Sequence, residues 1–168
     1  MQAPRVVVMG VCGSGNTTVG TLLAHALGVT YVDGDDLHPP RNVALMASGT
    51  PLTDDDRAEW LDAVAATLQA TPQGLVVSCS ALRRRYRDRL REAAPDLRLL
   101  HLHGPRALLW QRMAARQGHY MPAALLDSQL QTLEPPAADE RAVVLDIDGE
   151  PATLARKALD QLCARSPA

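Results

Sequence analysis

The glycine-rich turn at residues 10–17 constrains the fold of this chain more than any other feature. It follows a short β-branched run, Arg5-Val6-Val7-Val8-Met9, and precedes a helical pattern that begins at Thr17. The turn reads Gly10-Val11-Cys12-Gly13-Ser14-Gly15-Asn16-Thr17, which fits G-x-x-x-x-G-K-S/T except that Asn16 replaces the lysine. Glycines let backbone N–H groups wrap a phosphate, and the helix N-terminus adds a favourable dipole. We therefore predict a phosphate-binding turn rather than a glycine-rich turn without a ligand.

Strand and helix patterns alternate along the rest of the chain. Further strands are predicted over residues 29–32, 75–77, 97–102 and 142–145. Helices are predicted over residues 17–27, 54–70, 82–93, 106–117 and 152–163. Strands separated by helices form βαβ units, whose parallel sheet is covered by helices on both faces. The pattern predicts a single α/β domain over residues 1–168.

The composition excludes several classes of protein. The chain has 17 Lys plus Arg against 19 Asp plus Glu, a net charge of −2 that argues against a nucleic-acid partner. Its 3 cysteines are an odd number without metal-ligand spacing, so we expect neither a disulfide framework nor a zinc site, and we expect a reducing, cytoplasmic compartment. No apolar run approaches the roughly 20 residues of a membrane span or has the form of a signal peptide, so we expect no membrane partner.

A second polar motif follows the second predicted strand, with Asp33-Gly34-Asp35 at its start. Ligands of open α/β sheets lie beyond the carboxyl ends of the strands, so we expect these carboxylates to face the glycine-rich turn. One carboxylate can contact Mg²⁺ through water, and the other can accept a hydrogen bond or a proton from an attacking hydroxyl. The alternative is an acidic turn in which Asp is used for its turn geometry.

Asn16 weakens the catalytic half of this interpretation. The lysine of a phosphate-binding loop offsets charge that develops on the β- and γ-phosphates during transfer, and an asparagine amide carries no charge. Losing one charged transition-state contact costs roughly 10²–10³-fold or more in rate. Three explanations stay open: the chain is an inactivated relative, the substitution was introduced, or an arginine supplies the charge. Of the 17 basic residues only Lys157 is a lysine, and it lies far along the last predicted helix.

A series of motifs, in order over nearly the whole chain, resembles the gluconate kinases. The matching segments are Met9-Gly10-Val11, Ser14-Gly15, Asp33-Gly34-Asp35-x-Leu37-His38-Pro39-x-x-Asn42, Met46-Ala47-Ser48-Gly49-x-Pro51-Leu52, Asp54-x-Asp56-Arg57-x-x-Trp60-Leu61, Cys79-Ser80-Ala81-Leu82-x-x-x-Tyr86-Arg87-Asp88-x-Leu90-Arg91, Arg116-x-Gly118-His119 and Asp146-Ile147-Asp148. The resemblance implies an adenylate-kinase-like P-loop kinase with a five-stranded parallel sheet of order 2-3-1-4-5. It also implies Mg²⁺ and ATP as cofactors, phosphorylation of the 6-hydroxyl of D-gluconate, and a homodimer. The chain departs from the family pattern at Asn16 and at Leu45, where the family commonly has lysine.

The resemblance and the residue chemistry together give the candidate site. The predicted nucleotide contacts are Gly10, Cys12, Gly13, Ser14, Gly15, Asn16, Thr17, Thr18, Arg112 and Arg116. Thr17 is placed to offer its hydroxyl to Mg²⁺, together with Asp33. The predicted substrate contacts are Asp35, His38, Asn42, Arg83, Arg87 and His119. An arginine fork suits the gluconate carboxylate or the product phosphate, which is why Arg83 and Arg87 are included.

Residues 112–135 are predicted to form a mobile lid that closes over the phosphates. Arg112 and Arg116 lie at i and i+4, so they project from one helix face, although basic residues are also favoured at a helix C-terminus. Arg116 is the most plausible replacement for the missing lysine, and we count it with Asp35 and position 16 among the catalytic candidates. The acidic run at residues 54–56, in contrast, is read as the capped start of a helix, with Thr53 and Asp56 as a capping box.

Two other functions stay open at the sequence level. One is a catalytically inactive protein that binds nucleotide or gluconate. The other is a kinase for a different small hydroxy acid, such as shikimate. The segment from His38 to Asn42 and the run Tyr86-Arg87-Asp88 favour gluconate.

Overall fold

The computed structural model describes residues 3–115 and 123–164. In these ranges the strands form one parallel sheet in the order β2-β3-β1-β4-β5. The strands are β1 (Arg5–Met9), β2 (Thr30–Asp33), β3 (Leu75–Ser78), β4 (Arg98–His103) and β5 (Val143–Asp146). The predicted α/β class, the parallel sheet and its strand order are therefore confirmed.

Helices cover both faces of the sheet. They are α1 (Asn16–Leu27), α2 (Pro40–Ala47), α3 (Asp54–Gln69), α4 (Arg84–Ala93), α5 (Arg106–Ala115), α6 (Ala123–Thr132) and α7 (Pro151–Ala164). The helix predicted from residue 82 begins at Arg84, because Arg83 has extended backbone angles. The sequence analysis missed α2 and α6. Pro40 begins α2, and a proline is compatible with the first helical position because its missing N–H would have no helical partner there.

The buried side chains of β1 divide the core between two faces. Val6 and Val8 pack into a cluster that includes side chains of α1, α5 and α7. Val7 and Met9 pack into a second cluster, which contains side chains of α3 and α4. This alternation is the period-two pattern of a strand that is buried on both faces. The sheet is thereby held between the two layers of helices, and the polar turns lie at the carboxyl ends of its strands.

The start of α3 is fixed by the predicted capping box. Thr53 Oγ1 accepts a hydrogen bond from the Asp56 N–H at 3.2 Å, and Asp56 Oδ2 accepts one from the Thr53 N–H at 2.9 Å. These bonds satisfy two N–H groups that a helix start leaves without partners. The acidic run is thus the capped start of a helix, and the residues after it face the carboxyl edge of the sheet.

Candidate active site

A crevice opens at the carboxyl edge of the sheet. One side is formed by the turn at residues 10–17, and the other side includes Asp35, His38, Arg57 and Trp60. The turn directly follows β1, and the Asp35 segment directly follows β2. The structure therefore brings the two sequence motifs together across one crevice, as their places after parallel strands predicted.

The glycines of the turn are required by its backbone. Gly13 and Gly15 have φ angles of +84° and +85°, in the left-handed region that side chains disfavour. A Cβ at Gly13 would lie 2.4 Å from the carbonyl oxygen of Leu109 in α5. At position 13 the loop consequently approaches α5 too closely for any residue other than glycine.

The Asn16 side chain is turned towards the loop itself. Its Oδ1 accepts a hydrogen bond from the buried Ser14 hydroxyl at 2.7 Å, and its Nδ2 donates one to the Gly10 carbonyl at 3.3 Å. The amide braces the loop internally. It supplies no positive charge to the crevice.

A contact from α6 reaches the turn. The Cys12 N–H donates a hydrogen bond to Gln129 Oε1 at 2.7 Å, and Gln129 also lines the crevice.

Burial raises the pKa of the Cys12 thiol to about 11, and the nearby Asp35 carboxylate raises it further, against a smaller lowering by a backbone hydrogen bond. The thiol is therefore protonated at neutral pH, and Cys12 is a small neutral residue of the loop.

The two carboxylates after β2 have different surroundings. Asp33 Oδ1 accepts hydrogen bonds from the Asp35 N–H at 3.0 Å and from the Ser78 hydroxyl at 3.4 Å. Asp35 has an exposed side chain that lines the crevice. Asp33 thus fixes the turn from which Asp35 reaches the crevice, and the acid that faces an incoming ligand is Asp35.

Thr17, which lines the crevice, and Asp33, which ends β2 and is not among the lining residues, are the residues for which we predict Mg²⁺ contacts. A hydroxyl and a carboxylate are the hard oxygen ligands that this ion prefers, and it usually completes its shell with waters and phosphate oxygens. Among the described residues, no group of three or more His, Cys, Asp or Glu side chains could hold a metal ion.

A second hollow adjoins the other side of the turn. It is lined by Gly13, Gly15, Thr18 and Arg112 together with residues 149–151, which follow β5. Arg112 Nη2 lies 3.5 Å from the Gly149 carbonyl oxygen, to which it donates a hydrogen bond. Predicted nucleotide contacts therefore lie on both sides of one loop. Arg116 and His119, for which we predict phosphate and substrate contacts, lie outside the described residues.

Comparisons with known proteins agree with this geometry. A family model for the AAA domain matches residues 6–136. The thermoresistant gluconokinase of Escherichia coli (strain K12) is 46% identical over 146 residues, which cover 84% of this chain and 83% of that protein. The gluconokinase of Gluconobacter oxydans (strain 621H) is 47% identical over 151 residues, covering 88% and 84%. The crystal structure of a gluconokinase from Sinorhizobium meliloti 1021 has 48% identity and a TM-score of 0.90, covering 96% of this chain and 92% of that one.

This chain belongs to the gluconokinase family. The resemblance inferred from the motifs is thereby confirmed over most of the chain. In this family context, three of the predicted substrate contacts have surroundings that differ from the prediction.

Arg87 does not reach the crevice. Its guanidinium is 0% exposed and donates to Glu140 Oε1 at 2.7 Å, to Glu140 Oε2 at 3.0 Å and to the Ala81 carbonyl oxygen at 2.9 Å. Glu140 is itself 1% exposed. All sides of the Arg87 fork are therefore used inside the protein, and its predicted contact with gluconate is corrected to a buried ion pair.

Asn42 and Arg83 also lie away from the crevice lining. Asn42 is fully buried, and its amide donates to the Asp56 carbonyl oxygen and to the His38 ring. Arg83 precedes α4, and its Nε atom is buried without a hydrogen-bond partner in the described part of the chain. The structure therefore gives Asn42 an interior position, where it supports His38, whereas Arg83 is half-buried and its contact with the substrate stays a prediction.

Arg57 is a charged residue of the crevice to which the sequence analysis gave no role in the site. It lies in the first turn of α3, it lines the crevice, and its Nη1 donates to the Tyr86 hydroxyl at 3.1 Å. The only signal was its place in the motif Asp54-x-Asp56-Arg57-x-x-Trp60, where the capping box explained the neighbouring acids. In the described ranges it is the one arginine or lysine that lines this crevice.

No helix in the described ranges is long and apolar enough to cross a bilayer.

Proposed function

We propose that this chain transfers the γ-phosphoryl group of ATP to the 6-hydroxyl of D-gluconate, and that Asn16 lowers the rate of this transfer. The observation that carries the proposal is that the phosphate-binding turn and Asp35 line the same crevice, with Arg57 beside them. The relatives named above support gluconate as the acceptor, because two of them are gluconokinases that are 46% and 47% identical to this chain.

The proposed reaction is a direct displacement. The acceptor oxygen attacks the γ-phosphorus, the bond from that phosphorus to the bridging oxygen breaks, and ADP leaves with the bonding electron pair. Asp35 accepts the proton of the acceptor hydroxyl. The backbone N–H groups of the turn bind the phosphate oxygens. Mg²⁺, which Thr17 and Asp33 would hold, supplies neutralisation of phosphate charge when it is bound.

We assign the gluconate carboxylate to Arg57. A guanidinium binds a carboxylate with two parallel hydrogen bonds, and these are stronger than bonds between neutral groups. Arg57 lines the crevice and uses Nη1 for the Tyr86 hydroxyl, and we assign other donors of its fork to the carboxylate. For this reason we propose Arg57, and not Arg87, as the partner of the gluconate carboxylate. Arg112 and Arg116 are proposed as phosphate contacts.

The test is a comparison of the natural chain with Asn16→Lys. ADP release is measured with ATP, Mg²⁺ and gluconate, and Asn16→Gln serves as the matched control that lengthens the side chain without adding charge. We expect a kcat for Asn16→Lys that is about 10²–10³-fold higher than that of the natural chain. We expect the Gln variant to stay near the natural rate. A Lys variant that is no faster would contradict the proposed role of position 16.

The acceptor is tested with the same assay. Gluconate and shikimate are compared at equal concentration in the Asn16→Lys background, and the product of gluconate is identified by its phosphate position. Turnover of shikimate but not of gluconate would reject the proposed substrate.

A second candidate function is nucleotide and gluconate binding without turnover. The observation that favours it is the Asn16 amide, whose hydrogen bonds are to Ser14 and Gly10 inside the loop. It predicts measurable dissociation constants for ATP and for gluconate by calorimetry, with no ADP release above the uncatalysed rate. ADP release that depends on gluconate in the natural chain would reject this second candidate and support phosphoryl transfer.

We also propose that the chain acts as a homodimer in the cytoplasm. All three cysteines, which lie in the described part of the chain, are free thiols, which agrees with a reducing compartment. Sedimentation equilibrium at several concentrations tests the dimer, and a mass of 18.1 kDa at every concentration would reject it.

A further inference from the structure

A series of polar groups connects the buried interior to the side of the crevice on which Asp35 lies. Asn42, on α2, is fully buried. Its Nδ2 donates a hydrogen bond to the backbone carbonyl oxygen of Asp56 at 2.7 Å. The same nitrogen lies 3.2 Å from Nδ1 of His38, and Nε2 of His38 lies 4.0 Å from Asp35 Oδ1. In space these polar groups follow one another in the order Asp56, Asn42, His38 and Asp35.

The orientation of the Asn42 amide is fixed by its first partner. A backbone carbonyl oxygen can only accept a hydrogen bond, so the group that faces Asp56 at 2.7 Å must be the NH₂ and not the amide oxygen. The same NH₂ lies within hydrogen-bond distance of Nδ1 of His38, and an amide NH₂ can only donate. Nδ1 must then be the acceptor nitrogen of the ring, and a neutral imidazole with an accepting Nδ1 carries its proton on Nε2.

The ring of His38 is held in this orientation from its face as well. It stacks on Trp60 with ring centroids 4.4 Å apart and planes 9° apart. Trp60 is itself fixed, because its Nε1–H donates to the Gly34 carbonyl oxygen at 2.8 Å. Burial, with a further contribution from Arg57, lowers the pKa of His38 to about 4, so the ring is neutral at neutral pH.

We propose that Asn42 is a positioning residue that holds His38 in the Nε2–H tautomer, so that His38 donates a hydrogen bond to the oxygen of the acceptor hydroxyl whose proton Asp35 receives. A hydroxyl has one proton to donate and two lone pairs to accept with. With Nε2 protonated, the hydroxyl donates to Asp35 and accepts from His38, and its orientation is fixed. With the other tautomer, Asp35 and His38 would compete for a single proton. The catalytic part rests on the proposed function, whereas the tautomer does not.

The tautomer is measured directly by NMR. The natural chain is labelled with ¹⁵N histidine, and long-range ¹H–¹⁵N correlations distinguish protonated from unprotonated ring nitrogens at neutral pH. The signal of His38 among the 5 histidines is assigned by its loss in His38→Gln. We expect an unprotonated Nδ1 and a protonated Nε2. A protonated Nδ1 in the natural chain would overturn the proposal without any variant.

Asn42→Asp tests whether Asn42 sets the tautomer. A carboxylate at this position accepts from Nδ1 and so favours a proton there, and we expect the His38 spectrum to change to the Nδ1–H form or the doubly protonated form. A folded Asn42→Asp chain with an unchanged His38 spectrum would contradict the positioning role. If this variant does not fold, Asn42→Ala provides the same test, because without the amide both tautomers should be populated. A single Nε2–H form in Asn42→Ala would count against the proposal.

The functional part is tested by two substitutions at His38, read against ATP binding as an internal control. His38→Gln keeps an N–H donor without the ring, and His38→Phe keeps a ring to stack on Trp60 without the donor. Losing one such hydrogen bond corresponds to about a tenfold change, so we expect the Kd for gluconate to rise about tenfold in the Phe variant and less in the Gln variant. A loss that is equal in both variants, or larger in the Gln variant, would contradict the proposed role of the N–H donor. If the natural chain binds no gluconate, the proposed function fails, and the NMR result still decides the tautomer.

Discussion

On the turn side of the crevice, a phosphate meets backbone N–H groups, whereas the facing wall offers the side chains of Asp35, His38 and Arg57. Two N–H groups of the turn have partners inside the protein, that of Cys12 with Gln129 and that of Ser14 with Val11. Gly13 and Gly15 give the turn its shape through positive φ angles. The acceptor wall depends on bonds between side chains, such as Arg57 to the Tyr86 hydroxyl. The turn is therefore held mainly by its backbone conformation, with the Asn16 amide as an internal brace, whereas the acceptor wall is held by partners between side chains. We expect substitutions on the two sides to change different kinetic constants.

The largest expected effect is that of Asp35→Asn. The amide keeps the size of the side chain but no longer accepts the acceptor proton, so we expect kcat to fall about 10²–10⁴-fold with a smaller change in the Kd for ATP. ADP release is measured in the natural and the Asn16→Lys backgrounds. Asp36→Asn is the matched control, because Asp36 is exposed and belongs to the same turn but does not line the crevice. Equal losses at both positions would show that the turn, rather than the acid, is required.

The next effect concerns stability rather than kinetics. Glu140 accepts two hydrogen bonds from Arg87 and one from Arg91 at 2.9 Å, in a site where its side chain is 1% exposed. Removing one partner of a buried ion pair leaves an uncompensated charge, so Glu140→Ala should reduce the free energy of unfolding by about 3–5 kcal/mol. Urea denaturation checks this, with Glu92→Ala on the exposed side of α4 as the control. The Kd for gluconate of the folded variant should stay unchanged, because Arg87 does not line the crevice.

The same ion pair predicts a dependence of stability on pH. Burial alone would raise the pKa of Glu140, but hydrogen bonds from Arg87, the Ala137 N–H and Arg91 outweigh it and lower the pKa to about 2. The pKa is thus lower in the folded chain than the value near 4.5 of an unperturbed glutamate. The contribution of this group is fully present above about pH 4.5 and is lost as the pH falls through about 2. The stability difference between the natural chain and Glu140→Gln should therefore decrease over this range, and a constant difference would contradict it.

The sequence predicts the features of the fold that depend only on residues close to one another along the chain. The β1–turn–α1 unit was predicted because a strand, three glycines and a helix start are all encoded within residues 5–27. The capping box at Thr53 and Asp56 was predicted for the same reason, since its partners are three residues apart. The strand order came from the family resemblance, and the sheet has that order.

The roles of the arginines depend on partners that are distant in sequence. Arg87 follows β3 closely, and for this reason the sequence predicted it near the ligand, but its partner Glu140 lies 53 residues further along the chain. Arg57 looked like part of a helix start, and its place in the crevice depends on how α3 packs on the sheet. Gln129 carried no signal, because the Cys12 N–H that it meets is 117 residues away. Such pairings follow from the packing of whole elements and not from any local pattern.

A smaller effect is expected for Arg57→Gln. This change removes the one charged donor that the described acceptor wall offers to a carboxylate, while the side chain stays polar. Hydrogen bonds to charged groups contribute about 1.5–3 kcal/mol, so the KM for gluconate should rise about 10–100-fold. The KM for ATP should change little. Arg41→Gln is the control, because Arg41 is exposed and pairs with Asp56 outside the crevice. A matching rise in the KM for ATP would mean that the two sides of the crevice are not independent.

The smallest expected effect is that of Gln129→Ala, which tests the support that the turn receives from α6. Gln129 Oε1 accepts from the Cys12 N–H at 2.7 Å, so it ties α6 to the loop. A hydrogen bond of this kind contributes about 0.5–1.5 kcal/mol, and its loss should raise the Kd for ATP about 2–10-fold, because ATP binding must then order the loop. Calorimetry with ATP and with gluconate separates the two sides, and Gln131→Ala, an exposed position on the same helix, is the control. A higher Kd for gluconate with an unchanged Kd for ATP would show that Gln129 supports the acceptor wall and not the turn.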